Sequence, residues 1–91
     1  MSFKKIRGIK IPYRMQGLIY FTLLNYDTQP EAVRRRIDAL FSAAAKRDGP
    51  TDRALREWML RENVSAEKAA QKSYLSAGAL FRCRKWIYEN W

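Results

Sequence analysis

Apolar residues recur at steps of three and four along most of this chain, the period of helices with one face turned inward. Met15, Leu18, Ile19, Leu23 and Tyr26 follow that spacing, and Tyr20, Phe21 and Leu24 add apolar surface on a second side. The pattern predicts a first helix from Arg14 to about Tyr26, buried from more than one direction. Its β-branched and aromatic content also fits a strand, but strict alternation is missing. A second helix is expected from Thr28 to about Arg47, with Val33, Ile37, Leu40, Phe41 and Ala44 on one face. Thr28 and Glu31, three residues apart, read as a capping box, and Pro30 is tolerated in a first helical turn. Arg34, Arg35 and Arg36 fan over about 200° of that helix and cannot share one direction. Asp48-Gly49-Pro50 stops the second helix, and Thr51 or Asp52 caps a third, whose inner face carries Leu55, Trp58 and Met59 and which ends near Glu62-Asn63. The fold class predicted is all-α, a small helical domain of about five helices.

The last third of the chain is organised differently. Ser65 is a good N-cap for a short helix from Ala66 to about Lys72, and Ser76 is a second N-cap that opens a longer helix. Only Ser73, Tyr74 and Leu75 lie between them. Two helices joined by so short a turn cross steeply, as in a helix-turn-helix. That geometry needs small residues where the helices touch, which Ala69-Ala70 provide, and an apolar residue in the turn, Leu75. The second helix then needs apolar residues at three- and four-residue steps, and Leu80, Cys83 and Ile87 supply them. The C-terminal aromatics Trp86, Tyr88 and Trp91 are expected to pack on Trp58 and the first two helices, or else to mark a dimer or partner surface.

Composition narrows the chemistry. Ninety-one residues make a single domain, divided here into a basic N-terminal arm, residues 1–13, and one helical domain, residues 14–91, with the helix-turn-helix at 65–90. Eighteen Lys and Arg stand against nine Asp and Glu, a net charge of +9. Such an excess favours a polyanionic partner. It is concentrated at the start: Lys4, Lys5, Arg7, Lys10 and Arg14 precede any acid. With Gly8 and Pro12 interrupting it, this segment reads either as an extended arm along phosphates, as a solvated tail, or as a contact for an anionic membrane surface. The chain has no His, and Cys83 stands alone, so neither an imidazole base, an internal disulfide nor a thiolate metal site is expected. There is no Gly-rich phosphate loop and no apolar run of spanning length. A non-enzymatic, cytoplasmic protein without cofactor, membrane or small-molecule substrate is expected.

The stretch Val64-Ser-Ala-Glu-Lys-Ala-Ala-Gln-Lys-Ser-Tyr-Leu-Ser-Ala-Gly-Ala-Leu-Phe-Arg-Cys-Arg-Lys-Trp resembles the helix-turn-helix of region four of primary sigma factors. It is particularly similar to the versions found in small phage and mobile-element regulators. The matching positions are Ser65, Ala69, Ala70, Leu75, Ser76 and the triplet Leu80-Phe81-Arg82. The chain departs from that pattern at Tyr74, where the turn usually has Gly, at Ser73, where an apolar residue is usual, and at Ala77-Gly78-Ala79, which bear no group able to hydrogen-bond a base.

The resemblance implies double-stranded DNA as partner, with the second helix entering the major groove. It implies that Ser76 donates to a phosphate at the helix N-terminus and that Arg82 contacts a base, preferably guanine. Arg84, Lys85, Lys68 and Lys72 would reach flanking backbone, joined by Lys4, Lys5 and Arg7 from the arm. Phe81 would touch a thymine methyl or serve the core. The small residues Ala77 and Gly78 either let the backbone approach DNA closely or leave this surface reading no sequence. A promoter-proximal regulator follows from the family likeness, and a DNA-packaging subunit uses the same module. The alternative is a helical adaptor that docks on RNA polymerase, on another regulator or on a second copy of itself.

Overall fold

The structure, a computed structural model, describes residues 6, 8–48, 52–61, 64–72 and 76–91. Its elements are α1 (Tyr13–Leu24), α2 (Glu31–Asp48), α3 (Asp52–Met59), α4 (Ala66–Lys72) and α5 (Ala77–Glu89), with a 3₁₀ turn at Tyr26–Thr28. No strand occurs among the described residues, so the fold is all-α as the periodicity predicts. Residues 73–75, and with them Tyr74 and Leu75, lie outside the described residues, as do Thr51, Glu62 and Asn63.

The two longest helices, α2 and α5, pack along one another and form the spine of the core. Ile37, Phe41 and Ala44 of α2 share one cluster with Leu80, Cys83 and Ile87 of α5, all without solvent exposure. The Cys83 thiol donates to the Ala44 carbonyl at 3.5 Å, so the cysteine fills the α2–α5 seam as a small apolar residue. α4 lies against both α3 and α5. Ala69 and Ala70 are buried there, and their size lets the helix axes approach closely.

Two expectations about the first half of the chain are corrected. α1 buries Ile19 and Leu23 of the expected stripe, but Gln16 in place of Met15 and Leu18. Met15 is 44% exposed and Leu18 58%, so the helix is covered on one side only. Gln16 takes the inward position because the backbone of the neighbouring segment bonds to its carboxamide, a demand that apolar periodicity does not encode. The capping box is also absent. Thr28 closes the 3₁₀ turn by donating its hydroxyl to the Asn25 carbonyl at 2.9 Å, and α2 starts at Glu31, with the Pro30 carbonyl accepting from Arg34 N–H. Glu31 pairs with Arg35 one turn on.

An ionic cluster unmarked by any sequence motif ties α2 to α3. Arg56 reaches Asp38 at 2.7 Å and Asp52 at 2.6 Å, and the Tyr26 hydroxyl donates to Asp38 at 2.7 Å. Burial alone would raise the Asp38 carboxyl, but the bonds from Arg56 and Tyr26 outweigh it and hold the group below its ordinary range.

The N-terminal segment is not detached from the helices over its described part. Ile9 is buried in the core, and Ile6 and Ile11 pack against it. Gly8 adopts φ +82°, a left-handed conformation that glycine takes at little cost.

Candidate nucleic-acid interface

α5 begins at Ser76, whose Oγ accepts the Ala79 N–H at 3.2 Å and whose own hydroxyl proton is left to donate elsewhere. The next residues divide by face. Ala79, Leu80, Cys83, Ile87 and Tyr88 turn inward, while Gly78, Phe81, Arg82 and Lys85 are exposed and Ala77 and Arg84 are half-buried. This is the 3.6-residue alternation read from the sequence, with the cations outside.

Gly78 is not required by its own surroundings. A Cβ there would meet Arg82 Nη1 at 3.5 Å and Ser76 Oγ at 3.9 Å, ordinary contact distances. The same geometry places the Arg82 guanidinium over Gly78, at the N-terminal front of α5, where a helical side chain naturally leans. Ser76, Gly78 and Arg82 therefore share one open surface at the positive end of the helix.

Arg84 has a different environment. Its guanidinium lies 4.7 Å from the centre of the Trp58 ring and 5.2 Å from that of Phe81, and these two rings meet edge-to-face at 5.5 Å. Burial lowers the pKa of this arginine. The residue expected to reach flanking phosphate thus lies against an aromatic pair, and Phe81, 42% exposed, is braced from beneath by Trp58 of α3.

Arg82, Arg84, Lys85 and Phe81 line a shallow groove of about 270 Å³ whose opposite wall is the N-terminal segment, through Ile6, Gly8 and Ile9. No protein-family model, curated protein or solved structure matches this chain. The functional reading consequently rests on what these side chains can do.

Two residues that the sequence did not single out as functional hold the groove in shape. Trp58 does so from α3. Gln16 does so from α1: it is fully buried, its Oε1 accepts from Ile6 N–H at 2.8 Å, and its Nε2 donates to the carbonyls of Ile11 at 3.2 Å and Ile9 at 3.4 Å. A lone polar residue in step with Ile19 and Leu23 was the available signal. The Lys10 N–H donates to the Glu89 carboxylate at 3.2 Å, tethering the segment to the C-terminal end of α5 as well.

The remaining expected site residues are more scattered. Lys68 is exposed on α4, where its N–H donates to Ser65 Oγ at 3.1 Å, the N-cap read from the sequence. Lys72 ends α4, and its side chain lies outside the described part, as do Lys4, Lys5 and Arg7. Trp86 sits under the Arg47 guanidinium of α2, Tyr88 is buried, and Trp58 meets Phe81 edge-to-face. Among the described residues no group of acids and cysteine is placed to hold a metal ion, and no helix is long and apolar enough to cross a membrane.

Proposed function

We propose that this protein binds double-stranded DNA, with α4 and α5 acting as a helix-turn-helix in a regulator of phage or mobile-element type. The carrying observation is the open front of α5: Arg82 extends over a glycine that internal packing does not require, beside an N-cap hydroxyl and the positive end of the helix. A backbone without side chain at Gly78 lets the helix lie close to a groove floor, and Arg82 is then the donor nearest the bases. Lys85 contacts the flanking backbone, and Lys68 and Lys72 of α4 do the same from the first helix of the motif. Phosphate neutralisation supplies most of the affinity, and α5 supplies what sequence preference there is.

Fluorescence anisotropy of a labelled duplex of about 25 base pairs, repeated at about 50, 100 and 200 mM salt, tests this directly. Binding with a logarithmic salt slope of several units is expected, since each neutralised phosphate contributes about 0.9. Absence of binding at about 50 mM salt, in a protein of net charge +9, removes the proposal.

One observation favours a second reading, the protein adaptor. The outward face of α1 presents Met15, Leu18 and Phe21 beside an apolar groove of about 460 Å³ that includes Leu18, Val33, Ile37 and Trp91. Exposed apolar surface of this kind is a usual mark of protein contact. Concentration-dependent sedimentation that Leu18→Asp abolishes, with duplex binding absent, would favour it over the first.

A further inference from the structure

We propose that Gln16 is a positioning residue for the DNA interface: it fixes the basic N-terminal segment beside α5, so that segment and helix meet the phosphates as one preformed surface. The inference rests on the DNA-binding reading and adds to it a residue that touches no nucleic acid.

Three observations carry it. First, every hydrogen bond of the Gln16 carboxamide described above goes to the backbone of residues 6–11 and none to another helix. A buried primary amide is costly unless satisfied, and a leucine or methionine would fill the same space without that requirement. The polar group therefore serves the segment. Second, the described part of the segment lies where cations are already gathered. Ile6, Gly8 and Ile9 line one groove with Arg82, Arg84 and Lys85, and Lys10 follows them in the chain. Cations held together in advance strengthen the local attraction for a polyanion. Third, Gly8 takes a left-handed turn within the same wall, which holds the segment on one course. A loose tail of equal charge would lose its conformational entropy on binding; a fixed one has lost it already at folding.

The test uses the full chain, and its first two substitutions are neutral, so that they leave net charge unchanged. Gln16→Met removes the carboxamide. Gly8→Ala disturbs the segment from its other end, where a Cβ meets nothing within 4 Å but the backbone angle resists it; it leaves the helices untouched even if the first variant folds poorly. Helicity is checked by circular dichroism. Each variant is expected to bind the duplex about three- to tenfold more weakly than the wild type. Lys10→Ala gives the discriminating readout. It should weaken binding in the wild type and have little further effect in the Gln16→Met background, a coupling that a purely structural role would not produce. Wild-type binding with unchanged affinity in both neutral variants, or with a Lys10→Ala effect that is additive, overturns the inference and leaves the DNA reading intact. Failure of the wild type to bind at about 50 mM salt overturns both.

Discussion

Arg82 and Arg84 stand two positions apart on α5 and have opposite circumstances. Arg82 projects over Gly78 on the open front, whereas Arg84 lies on the Trp58 and Phe81 rings. Their substitutions should separate accordingly. Arg82→Ala is expected to cost roughly 1–3 kcal/mol of duplex affinity. Arg84→Ala should instead lower stability by about 1 kcal/mol, through the lost ring contact and aliphatic packing, and shift the tryptophan emission as Trp58 becomes wetter. Anisotropy and thermal unfolding on the same two variants decide the matter, and a reversed pattern would reassign the two roles. The sequence offered both as cations on an outward face. Nothing in it distinguished them, because Trp58 comes from a helix more than twenty residues earlier and its meeting with Phe81 is a product of tertiary packing.

Helix by helix, legibility followed how many solutions the pattern allowed. On α5 the stripe Leu80, Cys83 and Ile87 was the single apolar course available, and those residues are fully buried. Ser65 and Ser76 are N-caps because a serine hydroxyl satisfies a free helical N–H at that position and no competing partner intervenes. On α1 the period placed Ile19 and Leu23 correctly but not Gln16, whose burial answers the backbone of a segment five to ten residues away. At the start of α2 the Thr28 hydroxyl donates to the Asn25 carbonyl, and the helix begins only at Glu31, so Thr28 does not occupy the N-cap position from which its oxygen would accept a helical N–H. The consequence for α1 is a sharp asymmetry. Leu23→Ala, at a site 1% exposed, should destabilise by about 2–5 kcal/mol, while Leu18→Asn, at a site 58% exposed, should change stability by no more than about 0.5 kcal/mol. Chemical denaturation of both variants checks this; equal losses would mean that the outer face of α1 is covered in solution.

Taken whole, the molecule has a Cα radius of gyration of 12.3 Å, close to the roughly 12 Å expected of a compact chain of this length. So small a body has little interior to spare, and much of its pH response comes from a few groups. Tyr88 is one. Burial pushes its phenol up from 10.0 to about 12, against the opposing pull of Arg84. The folded state thus prefers the neutral phenol. Its contribution is intact below pH 10, the unperturbed value, and is lost as pH climbs from there through about 12. A near-ultraviolet titration should show a late tyrosine ionisation near pH 12, together with the loss of helicity, and Tyr88→Phe should remove that late component. A titration identical in the wild type and Tyr88→Phe at that pH would contradict the burial of this ring. At the acid end the sign is reversed. Asp38, held below its ordinary range, supports the fold above pH 3.8 and ceases to do so as pH falls through its depressed value.

Cys83, sealed between α2 and α5, makes the chain its own reporter. It is the sole thiol, it has no solvent exposure, and alkylating reagents can reach it only when the two long helices part. Under conditions where opening and closing are faster than modification, its labelling rate measures the open population, and hence the free energy of opening, without denaturant or added probe. Any partner that binds the closed form must slow that reaction by the factor 1 + [L]/Kd. Titrating duplex against the labelling rate would therefore return a dissociation constant from a residue that no partner touches.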